Sequence, residues 1–459
     1  MSAFARVHDA ALREFVERLL GFDTTGGSEA PAQAWLVDQL AGLGFSTYEW
    51  TADADRLAAH PSFPDAPEAI DAADRPSVAG VLELGDPDAG PTLVLNGHVD
   101  VVPAERALWS SDPFEPTWDG DALTARGAVD MKAGLGACVF AARHLADTVE
   151  DAGAAGDVGV AGDTGAAGAT GTADIEDADT AGLDGRIVVE SVVGEEAGGI
   201  GAATAALDNP YPFERDAAIV AEPTDLRPVA ATEGCLMVRL GLDGRSAHAA
   251  TRWRGESVLP RFERVREAFE RLESERARRV THPLYEEFPI PWPVVAGTLR
   301  AGSWPSTVPA SLVAEYRIGV APGESVRAVE AAFRERLAEI CADDEWLREH
   351  PPTFERFAIQ FEPSEIDPDE PVVRAVQRAM EENGRSGTAP RGATYGTDAR
   401  HYVDAGIPTV VFGPGSIEQA HFPEETIQWP EVTDAGTILA DAAREFLGGR
   451  SVVEGRSAD

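Results

Sequence analysis

The chain has 459 residues, 44% of them hydrophobic, with 79 acidic against 38 basic side chains and a formal net charge of −41. That length is too great for one compact core and points to two domains or three. The charge argues against nucleic acid and anionic membrane as partners. Because the acids are spread over the whole chain, they read as a solvated surface suited to high salt, and so as a halophilic source. Lys132 is the only lysine; the other basic residues are arginine.

The first twenty residues, MSAFARVHDAALREFVERLL, predict an amphipathic helix with charges throughout and without the apolar core of a signal peptide. A second helix is expected from about Ala30 to Leu43, then a strand in FSTYEW and a Pro-, Ala- and Asp-rich loop from Ala52 to Arg75. VAGVLEL and TLVLNGHVD read as strands, and MKAGLGACVFAARHL as a helix with small residues on one side. Residues 151–184 are nearly all Ala, Gly, Asp and Thr. They have almost nothing to bury and predict an acidic, disordered surface insertion. The strand RIVVESVV, the helix GIGAATAAL and the strand AAIVAE follow. Alternating strands and helices indicate an α/β layer with a mainly parallel sheet.

From residue 231 to 361 the pattern changes. ATEGCLMVRLGLDG is a strand, Glu256 to Arg278 a charged amphipathic helix, VVAGTLRAG and SLVAEYRIGV are strands, Glu324 to Ala342 is a helix and FAIQFEP a last strand. That βαββαβ order is the ferredoxin-like signature. After Glu362 the α/β alternation resumes, so a domain of residues 1–230 plus 362–459 is expected to carry 231–361 as an insert. Cys138, Cys235 and Cys341 lie far apart and form no CxxC pair. A disulfide framework is therefore not expected, and a cytoplasmic location fits. No apolar run is long enough to cross a bilayer.

Five stretches fall at strand ends or in the loops that follow: NGHVD, RGAVDMKAG, VVGEEAGG, VAEPTD and GPGSIEQAHFPEE. Sites in open α/β sheets form outside the carboxyl ends of strands. Together the stretches supply His98, Asp100, Asp130, Glu195, Glu196, Glu222 and His421. Two histidines and several carboxylates suit zinc, cobalt or manganese. Asp130 is the choice for a carboxylate shared by two ions. Of the adjacent Glu195 and Glu196, one can bind metal while the other moves protons. Taken singly, each residue has a plain structural alternative, such as an N-cap for Asp130. The ordered set, with glycines beside it, carries the functional reading.

The set resembles the zinc amidohydrolase family of acetylornithine deacetylase, succinyl-diaminopimelate desuccinylase, carboxypeptidase G and aminoacylase. The similarity runs from NGHVDVVPA through RGAVDMKAG, GEEAGG, AEPT, GRSAHAA and TDAR to AHFPEE. It implies a zinc-peptidase-like sheet sandwiched by helices, with the insert as a ferredoxin-like α+β dimerisation domain or lid. It implies two divalent metal ions, zinc first, with cobalt or manganese as alternatives. His98 and Glu222 would bind one, Glu196 and His421 the other, and Asp130 would bridge them. Asp100 would hydrogen-bond the second nitrogen of His98, and a cis peptide would follow Asp130. Glu195 would be the general base that activates the bridging hydroxide. His248, in GRSAHAA, would stabilise the oxyanion, often from the partner subunit of a homodimer. The implied substrate is an N-acylated amino acid, with N-acetylornithine first. A short peptide comes second and a formylaminopyrimidine third. A metal-containing binding protein without activity is the non-enzyme alternative.

One departure concerns substrate contacts. Where many members have a glycine-rich, asparagine-containing stretch, this chain has WPSTVP, with Ser306 in place of asparagine. Arg317 and Arg400 are candidates for a substrate carboxylate, or alternatively for structural ion pairs. Thr397 and Asp398 either shape the pocket or cap the helix after them.

Overall fold

The computed structural model describes residues 2–60, 62–63, 67–158 and 183–449. In chain order the strands used below are β1 (Ser46–Thr51), β2 (Pro76–Leu84), β3 (Thr92–His98), β4 (Gly185–Val192), β5 (Ala217–Val220), β6 (Val229–Thr232) and β7 (Gly234–Asp243). They continue with β8 (Val294–Ala301), β9 (Ser311–Val320), β10 (Thr353–Arg356), β11 (Ser364–Glu365), β12 (Arg391–Ala393) and β13 (Thr409–Val411). The main helices are α1 (Ala3–Leu20), α2 (Ala30–Gly42), α3 (Lys132–Val158), α4 (Leu259–Arg279), α5 (Val326–Ala342), α6 (Pro371–Glu382) and α7 (Trp429–Gly448).

The large sheet has nine strands in the order β1-β2-β4-β3-β5-β13-β6-β11, with β12 also on β6. Its centre, β4-β3-β5-β13, is parallel, and its flanks, β1-β2-β4 and β6-β11, are antiparallel. Every residue of β3 is buried, as a parallel strand covered on both faces requires. Helices α1, α3, α6 and α7 bury Leu12, Val16, Leu135, Val376 and Leu439 in one core with Leu93 and Leu95 of β3. The small residues expected on one side of α3 have a direct cause. A Cβ at Gly134 would lie 2.3 Å from the carbonyl oxygen of Ala221, and one at Gly136 2.5 Å from Val16. Helix α3 also runs on to Val158, so the first residues of the 151–184 segment extend it. Residues 159–182, where disorder was expected, lie outside the described residues.

Between Gly234 and Arg356 the chain forms a separate antiparallel sheet in the order β8-β9-β7-β10. Its inward residues, Leu236, Val238, Leu240, Tyr316 and Ile318, share a core with Phe262 and Phe269 of α4 and Phe333 of α5. Numbered within the insert, that order is 2-3-1-4, the ferredoxin-like arrangement. The last strand is Thr353–Arg356 rather than FAIQFEP, and Phe354 supplies its buried side chain. Ala358 has φ 53°, which ends any extended run there, and Phe361 makes only an isolated bridge to Cys235. Among the described residues, no helix is long and apolar enough to cross a membrane.

Candidate metal centre

His98 ends β3, Glu195 and Glu196 stand in the turn after β4, and Glu222 follows β5. Three buried strands therefore deliver them to one end of the sheet. His98, Glu195 and Glu222 are all buried and offer ligand atoms within 4.8 Å of one another; Asp130, Glu196 and His421 form a second such group. The groups meet at Asp130. Its Oδ1 lies 3.0 Å from His98 Nε2, and its Oδ2 lies 3.3 Å from His421 Nε2. His98 Nε2 is also 3.7 Å from Glu222, and His421 Nε2 is 3.1 Å from Glu196. The peptide after Asp130 is cis.

His98 Nδ1 lies 2.9 Å from the backbone carbonyl oxygen of Asp100. A carbonyl only accepts, so Nδ1 carries the proton, and Nε2 would be left to offer its lone pair to a bound ion. This corrects the expected role of the Asp100 side chain, whose nearer oxygen is 3.7 Å from Nδ1. That carboxylate instead accepts from the backbone N–H groups of Gly194 (2.8 Å), Glu195 (3.2 Å) and Glu196 (3.1 Å). The turn needs such a brace: Gly194 has φ 76°, and its N–H would otherwise be buried unpaired.

Burial raises the pKa of Glu195 well above its ordinary value, and Asp398 adds to the rise. Glu222 is raised in the same way by burial and then by Asp130. His421 is pushed up to about 10 by its bonds to Asp130 and Glu196. So many carboxylates crowded out of water call for cations among them. With two imidazoles, the donor set fits two divalent ions of the zinc, cobalt or manganese kind.

The profile of peptidase family M20/M25/M40 matches residues 94–160 and 151–445. The chain belongs to this family. It is similar to the N-formyl-4-amino-5-aminomethyl-2-methylpyrimidine deformylase of Bacillus subtilis (strain 168), 24% identical over 95% of this chain and 94% of that protein. The acetylornithine deacetylase of Proteus mirabilis (strain HI4320) is 25% identical over 77% of this chain and 79% of its own. In fold it resembles the M20 metallo-carboxypeptidase Sso-CP2 of Sulfolobus solfataricus, with a TM-score of 0.67 and 16% identity over 95% of this chain and 99% of that one. As a member of the M20/M25/M40 family, the protein is a metal-dependent amidohydrolase.

The other expected site residues fall outside the two ligand groups. His248 is exposed on the insert, where its Nδ1 accepts from Ala250 N–H at 3.1 Å. It pairs with Thr307 in an isolated bridge, which sets it beside the exposed Ser306. Arg317 takes the structural alternative. It donates to both oxygens of the buried Glu233 (3.5 and 3.3 Å) and to the Thr394 carbonyl (3.2 Å), joining the insert to the large sheet. Arg400 is also occupied: it donates to the carbonyls of Thr397 (3.1 Å) and Gly198 (2.7 Å) and lies 3.9 Å over the Phe361 ring. Thr397 Oγ1 accepts from Ala399 N–H, a local cap. Asp398 is 1% exposed, and neither of its carboxylate oxygens has a hydrogen-bond partner in the structure.

Glu425 was not singled out by sequence. Its carboxylate accepts from Arg126 (2.7 Å) and from the backbone N–H groups of Gly127 (3.0 Å), Val129 (2.7 Å) and Asp130 (3.0 Å). It thereby cradles the loop that presents Asp130. The available signal was its place inside AHFPEE, four residues after His421.

Proposed function

We propose that this protein hydrolyses the amide bond of a small N-acylated amine, releasing a carboxylate and an amine. N-acetylornithine is the first candidate substrate. The observation that carries the reading is the division of the two Asp130 oxygens between His98 and His421, with Glu195 adjoining. His98 and Glu222 would hold one ion, Glu196 and His421 the other, and Asp130 both. Bound there, the ions supply Lewis acidity that polarises an amide carbonyl and acidifies water. Glu195, buried beside His98 and Glu222, takes the proton from water and returns it to the leaving nitrogen. His248 is proposed to donate to the oxyanion from the partner subunit of a homodimer, which accords with its exposure away from the ligand groups.

A second reading, removal of a formyl group from an aminopyrimidine, is favoured by two observations. The deformylase relative aligns over nearly the whole chain. Arg317 and Arg400, the expected partners of a substrate carboxylate, are both engaged within the protein. A substrate panel of N-acetylornithine, other N-acyl amino acids, dipeptides and N-formylaminopyrimidines, assayed with zinc and with cobalt in high salt, separates the readings. Glu195→Gln is expected to lower kcat by ~10²–10⁴-fold with both ions retained by metal analysis. Activity surviving that change would end the mechanism.

A further inference from the structure

Three aromatic side chains are exposed among the described residues: Trp253 (75%), Trp304 (69%) and Phe422 (62%). One such ring alone would need no explanation; the places of these three do. Phe422 directly follows His421, a proposed ligand. Trp253 lies in the short helical turn Ala249–Arg254, which His248 caps. Trp304 lies two residues before Ser306. The two tryptophan loops are tied into one tip. Ala249 N–H donates to the Ser306 carbonyl (2.8 Å), Val308 N–H to the Ala247 carbonyl (2.8 Å) and Thr307 N–H to the Trp304 carbonyl (3.1 Å). A Cβ at Gly255 would lie 3.0 Å from both Ala247 and Val308, so the loops pack closely. Wherever His248 acts, both tryptophans go with it.

These indoles differ from others in the chain. Trp50, Trp118, Trp292, Trp346 and Trp429 each donate the indole N–H to a protein oxygen. Among the described residues, Trp253 and Trp304 make no such bond, and none of the three exposed rings lies against another ring or a cation. An apolar face with an unused donor at its edge suits a partner that is flat and carries acceptors on its rim. A pyrimidine meets both conditions, because its face stacks and its ring nitrogens accept. The aliphatic stem of ornithine meets neither. Its carboxylate also lacks the partners expected for it, since Arg317 and Arg400 are engaged within the protein.

We propose that Trp253 and Trp304 enter the partner subunit's site together with His248 and there, with Phe422 of the partner subunit, grip a flat heteroaromatic amine. The amine portion of the substrate is then a pyrimidine-like ring. The inference rests on the amide-hydrolase reading, with His248 acting across a homodimer, and names the substrate class within it. The test is calorimetric titration of the zinc-loaded full chain with two product-like amines, 5-aminomethylpyrimidine and ornithine, a readout that needs no turnover. The wild type is expected to bind the pyrimidine amine more tightly. Trp253→Ala and Trp304→Ala are each expected to weaken that binding about tenfold while leaving ornithine binding as in the wild type. Equal weakening for both amines would mean that the tryptophans only hold the two subunits together, and would overturn the inference. Unchanged affinity for the pyrimidine amine in both variants, or tighter binding of ornithine by the wild type, would overturn it as well. The underlying reading fails separately. A wild-type chain that hydrolyses none of the N-acyl substrates ends both, whereas one that hydrolyses them but whose variants treat the two amines alike ends this inference only.

Discussion

The inner ligand group and the outer one meet at Asp130 but are built on different ground. His98, Glu195 and Glu222 are buried and sit at or just after the ends of three neighbouring strands, β3, β4 and β5. In the outer group, the His421 side chain is 53% exposed and its backbone adopts φ 62°, a region that non-glycine residues rarely occupy. His98 and Glu222 inherit their rigidity from the sheet, and Glu195 shares the Asp100 brace with Glu196. The outer group depends on local braces, Glu425 under Asp130 and Asp100 under Glu196. A dinuclear site of this kind need not be equally strong on both sides.

That asymmetry can be broken by deletion. His98→Ala is expected to abolish activity and to remove both ions, because it takes out the strand-end ligand that faces Asp130. His421→Ala is expected to abolish activity while retaining one ion. Metal analysis decides, and equal losses from the two variants would contradict the asymmetry between the groups. Next in size, Glu425→Gln is expected to weaken metal affinity by about 10–100-fold, as loss of such supporting bonds does, and mainly at the outer site. The wild-type protein should then show the same inequality under a chelator. One ion should leave fast and one slowly, and a single-phase release would contradict it.

The smallest effect should come from a change that touches neither group. Glu233, at the joint between the layers, has its pKa pushed up to about 8 by burial, with Arg317 opposing. A carboxyl raised in the folded state supports folding below its unfolded pKa and withdraws that support as pH rises toward 8. Without Arg317, the ionised form is left buried and unpaired. Arg317→Met should therefore lower Tm little at pH 6 and clearly more at pH 9, with metal content unchanged at both. An equal loss at the two pH values would show that the pair is not what matters. Salt supplies a further comparison: the dispersed acidic surface predicts a Tm that rises along a KCl series, and full stability in dilute buffer would refute the halophilic reading.

Much of the inner group was legible because strands and short motifs lie close in sequence. The apolar run before NGHVD marks a buried strand, and the residues after such a strand can reach only one end of the sheet. What failed was anything decided by a partner far along the chain. Arg317 meets Glu233, and Arg400 meets Gly198; neither pairing leaves a trace in local pattern. Asp100 was rightly set beside His98, but the choice between its carbonyl and its carboxylate depends on where the Gly194 turn arrives. FAIQFEP alternates like a strand, yet the one positive φ at Ala358 removes it from the sheet. Glu425 was hidden among the many acids of this chain.

The brace from Glu425 also sets an order of construction. His98, Asp130, Glu195 and Glu222 leave the ribosome well before His421 and Glu425, which come from the last tenth of the chain. Synthesis at ~5–20 residues per second leaves a gap on the order of ten seconds or more. During it, the loop bearing Asp130 has no carboxylate to hold its amides. On the proposed ligand set, the nascent chain would offer metal only a partial cage, and the full pair of ions would be taken up once the C-terminal segment had closed over the first half.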